Sequence, residues 1–593
     1  MQFDDLLRTI GEFGPYQRRL YVLLCLPAIS IGIQSISLVV FLFAVPEHRC
    51  AIPGVQNDTY EVQDKAHEYL INLTIPRLAS DNISYSPCTM YAHPSVVPLN
   101  SDDNHTTRSS RYTETCHSWV YDKSTFDTTI AQSMNMVCDK KSYVTHGKML
   151  NMAGQVIGAV VSGVLSDIFG RKTVIVVGMV LTTVLSVLLP WVTSFNVLVP
   201  VIILMTACSS TQYLASFVFG LELVGHSKRM LAGVAINFFW SIGNLIVALA
   251  AFLLRDWKIR QLVLSVPSFI FLYLFFIPES PRWLLSKGKT EKAKTTLLKI
   301  AKSNGVIIHE NDLESITTKE ESKIEYFWEL IKSPTLLRRM LILFYNWFAV
   351  GMCFYGLSMN VTNLSGNVYL NFFLFVSVEA CAYVLCLLLL DRVGRKWMLC
   401  GSMIAGGVAC LLSFFPLLLS NNPEQWIINM LACLGNTCVS AGFAALYVFT
   451  AELLPTTSRN SGIGLCSMCC RVGSLVSPYI NDLVLHIDGR YKNIVPLLIF
   501  GSITALAGVL ALRLPETLNR KLPETIQDAE NIVTQSSDWL HVHRSTELGY
   551  DETHRPSQRA DHPIRCGDTT DRDAHSLRFK DKRPREMEPD VFL

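Results

Sequence analysis

Charge is what this sequence has least of. Only 17% of its 593 residues are Asp, Glu, Lys or Arg, against ~25% in a soluble domain, and mean hydropathy is +0.31. A chain this poor in charge has much of its surface in lipid. Its net charge is +2 and no run of like charge tracks a phosphate backbone, which argues against a nucleic-acid partner. The phosphate loop G-x-x-x-x-G-K-[ST] is missing. The nearest string, Gly288-Lys289-Thr290, lacks the earlier Gly, so a nucleotide-driven pump is not expected. Neither HExxH nor a CxxC…CxxC pattern occurs in a segment facing the cytoplasm. The expectation is therefore no cofactor, no metal site and no enzyme. The opening MQFDDLLRTIGEFGPYQRR is polar and mixed in charge, unlike a cleavable signal.

What the sequence has in abundance is long apolar runs. Twelve reach the ~20 residues that a spanning helix needs: about 20–45, 145–167, 173–194, 196–221, 231–254, 260–278, 340–359, 368–390, 398–419, 426–450, 461–486 and 494–514. Twelve argues against a seven-helix receptor. The expected organisation is a short N-terminus (1–19), a first half (20–281), a linker (282–339), a second half (340–514) and a polar tail (515–593) expected to be mostly disordered.

Between the first two runs lies a polar insert, 46–143, with four acceptor sequons at Asn57, Asn72, Asn82 and Asn104. Four in one insert point to the lumenal or extracellular face. Four cysteines, Cys50, Cys88, Cys116 and Cys138, read as two disulfides with three possible pairings. An outside insert places both termini in the cytoplasm. Basic residues at the inner ends agree with this: Arg18, Arg19, Arg171, Lys172, Lys228, Arg229, Arg392, Arg395 and Lys396. Arg255, Lys258 and Arg260 fall on the outer side, against that rule, with Asp256 as a local partner. In the linker, Ala293, Leu297, Leu298, Ile300 and Ala301 keep a helical period among lysines, which predicts an amphipathic helix under the membrane domain. The last four residues, Asp-Val-Phe-Leu, suit a PDZ-type groove, although the prior for any such end is a plain terminus.

The chain also repeats itself. GVLSDIFGRK (163–172) matches LLLLDRVGRK (387–396). FVFGLELVGHSKR (217–229) matches YVFTAELLPTTSR (447–459). PESPRWL from Pro278 matches PETLNRKL from Pro515. All three pairs stand at nearly one offset, so the chain is two six-span halves in parallel repeat. In D-x-x-G-R-K, Gly170 and Gly394 allow a tight turn. Asp167, Arg171, Asp391 and Arg395, with Glu222 facing Arg229 and Glu452 facing Arg459, are candidates for charge contacts that latch the two halves at the inner surface. Plain anchoring at the lipid interface is the competing reading.

These motifs resemble the major facilitator superfamily. Within it the chain resembles the organic-ion transporter family of cation, anion and carnitine-type carriers, from about Phe3 to Asn531. The resemblance rests on IGEFGPYQR, PEHRC, SDIFGRK, FIPESPRWLLSKGK, DRVGRK, YVFTAELLPT and LPETLNRKLPETIQDAEN. It implies an all-α membrane protein with twelve helices in two six-helix halves, a large extracellular loop between the first two, and a midplane site. It implies plasma-membrane transport of a small organic ion by alternating access, with a co- or counter-transported ion as a possible partner. A cation or carnitine-like zwitterion is the leading substrate and anion exchange the alternative. A channel or receptor is the reading from another class. Cation carriers tend to have Asp where this chain has Arg471, and anion and carnitine-type members have Arg. Glu379 stands where cation carriers have an acidic residue. Two features depart from the pattern: Gly32 stands where carnitine-type members have a polar residue, and the insert has four cysteines where six are common.

Arg471, in SGIGLCSMCCRVGSLVSPYINDLVLH, and Glu379 are both ionisable groups at membrane depth, where such residues face a cavity or each other. One anion and one cation suit a zwitterion, with Glu379 as the nearest counter-charge to Arg471. A mutual salt bridge with no solute role is the plainer reading. Tyr213, Phe239, Trp240, Trp347, Phe354, Tyr355 and Tyr447 are candidates to hold a cationic head by cation–π contact at ~0.5–2 kcal/mol each. For any one of them, span packing is the plainer reading.

Overall fold

The computed structural model describes residues 3–77, 85–92, 112–225, 228–306, 332–364, 366–419, 424–455, 459–485, 487, 494–518, 520, 523 and 526–531. Asn82, Asn104, the tail beyond 531 and its final four residues lie outside them.

Among the described residues ten helices are long and apolar enough to cross a membrane. They are α1 (Pro15–Leu42), α2 (Cys138–Phe169), α3 (Arg171–Trp191), α4 (Phe195–Leu223), α5 (Leu231–Leu253), α6 (Trp257–Phe276), α7 (Pro334–Asn360), α8 (Val368–Val393), α10 (Gln425–Leu453) and α11 (Gly462–Asp482). Two further apolar helices fill the remaining places, α9 (Arg395–Leu412) and α12 (Val495–Ala511). The first of these opens on Arg395 and Lys396, which dilutes its apolarity, and the second has only 17 residues. The expected segments thus all appear, in order.

Packing repeats between the halves. In the first, α1 lies against α5 and α2 and α3 against α4. In the second, α7 lies against α11 and α8 and α9 against α10. Two seams join the halves, α2 with α11 and α5 with α8. Below, the side that carries the insert is called outer.

The insert is stapled by Cys50–Cys116 and Cys88–Cys138, which selects one of the three pairings. Strand His48–Cys50 pairs antiparallel with Trp119–Tyr121, and Thr89–Tyr91 with Thr113–Thr115. Arg49, Asp58 and His67 form a buried charged cluster inside it. Burial raises the Asp58 carboxyl, but hydrogen bonds from Arg49, the Ile52 amide and His67 outweigh it and hold it below the usual carboxylate range. Asn57 is exposed, and Asn72 is half-buried with its carbonyl taken by Arg77 at 3.0 Å and Tyr85 at 3.3 Å.

The expected linker helix is two pieces, Pro281–Ser286 and Thr290–Asn304, broken at Gly288 with φ +69°. Ala293, Leu297, Ile300 and Ala301 are buried as expected, whereas Leu298 is exposed. Leu297, Ile300 and Ala301 pack against Leu6 and Ile10 of the N-terminal helix Phe3–Ile10, so their apolar stripe is covered by the chain's own first residues.

Candidate functional site

Each seam buries one ionisable group near its middle. At the α2/α11 seam Arg471 is 9% exposed, and its Nη1 donates to Gln155 Oε1 at 2.8 Å. Gln155 is a hub. The Tyr355 hydroxyl donates to the same oxygen at 3.2 Å, and the Gln155 amide donates to Ser35 at 3.1 Å. One neutral side chain thereby ties α1, α2, α7 and α11 together. The helices come close because Gly473, two residues on, presents only hydrogen to the Phe348 carbonyl of α7.

At the α5/α8 seam Glu379 is 2% exposed and accepts from the Tyr383 hydroxyl at 3.1 Å, with Ser241 of α5 beside it. Among the described residues no ion pair joins Glu379 to Arg471; each is satisfied by neutral groups of its own seam. The expectation of a counter-charge is corrected in this respect. The cause is the repeat: the spacing that carries Asp167 onto Asp391 carries Gln155 onto Glu379, and the spacing that carries Arg229 onto Arg459 carries Ser241 onto Arg471. The two seams are the same structural pair, Gln/Arg in one and Glu/Ser in the other.

Aromatic rings run between the seams. Trp347 and Tyr447 meet edge to face at 4.5 Å, Tyr447 and Phe443 lie 5.4 Å apart, Phe443 and Phe354 5.7 Å, and Phe354 and Tyr355 5.3 Å. Phe217 of the first half reaches Tyr447 at 5.8 Å. Tyr213 meets Trp240 edge to face at 5.8 Å and donates to Asn237 at 3.0 Å. Phe239 is half-buried and packs in a cluster with Tyr213 and Phe217. Trp347 is fully buried and its indole donates to Thr450 at 3.0 Å, so it packs inside the second half. Tyr213, Phe217, Trp240, Phe443 and Tyr447 keep partial exposure and are the rings best placed to meet a solute.

At the inner surface the candidate gating residues form two copies of one device. Arg171 holds Asp167 at 2.8 Å and Glu222 at 3.0 Å. Arg395 holds Asp391 at 3.0 Å and Glu452 at 3.1 Å. Ser280 donates to the Glu222 oxygen that Arg171 leaves free, and Thr517 donates to Oε2 of Glu452, whose two oxygens both face Arg395. Every one of these contacts stays within its own half. In this state each of these contacts ties together helices of one half, and the Arg459 side chain lies outside the described residues. Arg229 sits half-buried at the start of its helix, and Arg459 is the first helical residue before α11. Gly170 and Gly394 adopt φ +98° and +99°. Beside them Glu279 accepts from the Lys172 amide at 3.0 Å, and Glu516 from the Arg395 and Lys396 amides at 3.0 and 3.1 Å. Each carboxylate caps the start of the following helix, where N–H groups lack partners.

The outer side is sealed by contacts across the halves. Phe41 stacks on Tyr369 at 6.0 Å and meets Phe372 edge to face at 5.1 Å. The Tyr369 hydroxyl donates to the Thr125 carbonyl at 2.5 Å, and Thr145 donates to Asp482. One large apolar cluster spans both halves here, whereas toward the inner side the clusters of α3/α4 and of α7/α9/α12 are separate and a small one joins Val234 of α5 to Tyr383, Cys386 and Leu390 of α8 and Ala444 and Ala445 of α10.

The chain matches the family model described as "Sugar (and other) transporter" over residues 98–528. It is 35% identical over 546 residues to "Organic cation transporter protein" of Drosophila melanogaster, covering 90% of this chain and 95% of that one. It is 31% identical to "Organic cation/carnitine transporter 2" of Homo sapiens (88% and 93%), and 33% identical to "Solute carrier family 22 member 2" of Mus musculus (89% and 96%). The chain belongs to solute carrier family 22. Solved structures of the xylose transporter XylE share its fold. The inward-open form from E. coli aligns with TM-score 0.54 and 15% identity over 87% of this chain and 99% of that one. The form bound to 6-bromo-6-deoxy-D-glucose gives 0.53 and 18% over 67% and 93%.

This solute carrier is therefore a multi-pass membrane transporter of the major facilitator fold and not an enzyme. Both ionisable groups stand out in the sequence, whereas Gln155, Ser241, Phe443 and the capping carboxylates Glu279 and Glu516 do not. The repeat offsets were the signal that finds Gln155 and Ser241. Phe443 had none, since a lone aromatic in an apolar run reads as packing.

Proposed function

We propose that this solute carrier moves organic cations and carnitine-like zwitterions across the plasma membrane by rocking 20–277 against 340–514, with both termini cytoplasmic and the insert outside. The observation that carries this reading is the pair of buried, unlike charges, Arg471 and Glu379, held on separate seams by neutral partners. A carboxylate replaces Gln155 at Arg471 and a cationic head replaces the Tyr383 hydroxyl at Glu379, with Tyr213, Trp240, Phe354, Tyr355 and Tyr447 as the aromatic walls. The large cluster that seals the outer side, against the small one at Val234 toward the inner side, supports an inward-facing state. The inner-surface clusters at Asp167, Gly170, Arg171, Glu222 and Arg229, and at Asp391, Gly394, Arg395, Glu452 and Arg459, suit such rocking. Asn57, exposed in the insert, is the best placed glycan acceptor; a PDZ-type contact and an accompanying ion belong to the same reading.

The test is uptake of labelled tetraethylammonium, carnitine and para-aminohippurate, with and without sodium, in cells expressing the carrier. Saturable uptake of tetraethylammonium and carnitine is expected. Arg471→Ala should lose carboxylate-bearing solutes and Glu379→Gln cationic ones, at equal surface expression. Uptake that never saturates would point to a pore. Anion exchange is the second reading, favoured by the Arg471 guanidinium reaching across the seam. Para-aminohippurate uptake that survives Glu379→Gln and trans-stimulates would establish it.

A further inference from the structure

Three cations lie at the outer start of α6, where the positive-inside tendency does not want them: Arg255, Lys258 and Arg260. Arg255 and Lys258 are exposed. Arg260 is fully buried, at 0% exposure. Of its guanidinium nitrogens, Nη1 donates to the Leu254 carbonyl at 3.3 Å, while Nε and Nη2 are buried without a hydrogen-bond partner among the described residues. Its carbon lies 5.8 Å from the centre of the Phe41 ring. Of the neighbouring groups, Asp256 caps the helix with Oδ1, accepting from the Lys258 and Ile259 amides, and acts on Arg260 through its charge rather than a hydrogen bond, and the Tyr369 hydroxyl donates to Thr125.

A buried guanidinium with two idle donors is a standing cost, and a stacked ring offsets only some of it. Phe41, the ring it stacks on, is also the ring that closes against Tyr369 and Phe372 of the other half. When the outer seal opens, Arg260 is uncovered with its donors unoccupied, and exposed Arg255 and Lys258 stand beside it to draw in negative charge.

We propose that Arg260 is an outer anion site that takes a carboxylate or a halide from the outside while the seal is open, before a solute reaches Arg471. The planar fork offers Nε and Nη2 together, the geometry that grips a carboxylate with two parallel hydrogen bonds. Closure of Phe41 on Tyr369 then removes the space the anion occupied and sends it inward or back out. The proposal rests on the alternating-access reading given above.

The test uses the full chain in lipid nanodiscs. Chloride, or separately benzoate, replaces isethionate at constant ionic strength, and thermal unfolding is followed. The wild type and Arg471→Met should both show a saturable rise in Tm, Arg260→Met should lose the part of the rise that Arg471→Met keeps, the Arg260→Met/Arg471→Met double variant should show none, and Arg260→Lys should need about tenfold more anion, since an ammonium lacks the fork. A response to benzoate alone assigns a carboxylate site, and a response to chloride a halide site. No anion-dependent shift in the wild type, or an equal shift in Arg260→Met, would overturn the proposal. If Arg260→Met does not fold, Arg260→Lys decides: an unchanged midpoint overturns it. In cells, Arg260→Lys should raise KM for para-aminohippurate and spare tetraethylammonium. Equal losses for both solutes with a normal anion midpoint mark a structural residue and refute the site. The nanodisc titration reads the anion site even if no solute in the uptake panel is carried.

Discussion

Replacing Gln155 by Leu separates a substrate role for Arg471 from a structural one. The side chains are similar in size, so the change removes hydrogen bonds more than volume. Three bonds go: the 2.8 Å bond from Arg471, the 3.2 Å bond from Tyr355 and the 3.1 Å bond to Ser35. The first involves a charge and is worth ~1.5–3 kcal/mol. In the wild type a solute carboxylate must displace it. In Gln155→Leu it need not, and at ~1.4 kcal/mol per factor of ten KM for carnitine or para-aminohippurate should fall about tenfold. Two of these bonds, from Arg471 and Tyr355, join the two halves, so their loss also weakens the state seen here. That effect acts on every solute alike, and tetraethylammonium serves as the control. The assay is initial-rate uptake of the three labelled solutes, normalised to surface protein. If KM for the carboxylates rises, Gln155 is a solute ligand and not a competitor. If tetraethylammonium changes in parallel, the seam matters only for rocking and Arg471 is structural.

Other consequences follow from the same geometry. Glu279→Ala and Glu516→Ala each strip the carboxylate cap from a helix start and should cost ~1–2 kcal/mol, read as a lower Tm in detergent, whereas the Gln variants, which keep an acceptor, should lose less. Gly394→Ala must hold φ +99° with a Cβ that would lie 2.7 Å from Glu516 Oε2, and the strain of ~1–3 kcal/mol should appear as reduced surface expression. Breaking Cys50–Cys116, which spans a separation of 66 residues, with Cys50→Ser should remove about 4 kcal/mol of loop-closure stabilisation from the insert, seen as retention inside the cell. Asp58 has its folded pKa depressed by Arg49, so its contribution is present above the ordinary carboxylate pKa and is lost as pH falls through the lower folded value. Limited proteolysis of the insert should therefore accelerate only below about pH 4, and in Asp58→Asn that acid step should vanish.

Much of this was legible from the chain alone. Apolar runs of spanning length are a direct consequence of lipid as solvent, and each became a helix within a few residues. Arg471 and Glu379 were visible because a charge inside such a run is costly enough to stand out. Their partners were not visible. Gln155 sits in AGQVIGAV, where a neutral amide carries no signal of its own. The inner ion pairs show the complementary limit. Residue types and positions in D-x-x-G-R-K were readable, but charge alone does not say whether Arg395 reaches Glu452 of its own half or a carboxylate of the other. Only the packing of α9 on α10 decides that. The same holds for Glu279 and Glu516, whose proline-rich motifs look like loops until the helix starts they cap are placed beside them.

The separation of the two ions is what makes the site releasable. Were Arg471 paired with Glu379, a solute would have to pull opposite charges away from each other in a poorly polarisable interior, where removing one partner of a buried pair costs ~3–5 kcal/mol. With Gln155 on one ion and Tyr383 on the other, binding in the proposed mechanism exchanges an ion's hydrogen bond to a neutral group for pairing with an opposite charge at each seam, and release reverses the exchange. The empty carrier then has no bare charge to carry across, because each ion returns to its own neutral partner. A solute with only one charged end completes one seam and leaves the other as it was. Zwitterions gain at both seams and single cations only at Glu379. Under the proposed mechanism, selectivity is therefore set by which neutral partner a solute can replace, and the intra-half ion pairs of Arg171 and Arg395 confine that choice to the seams.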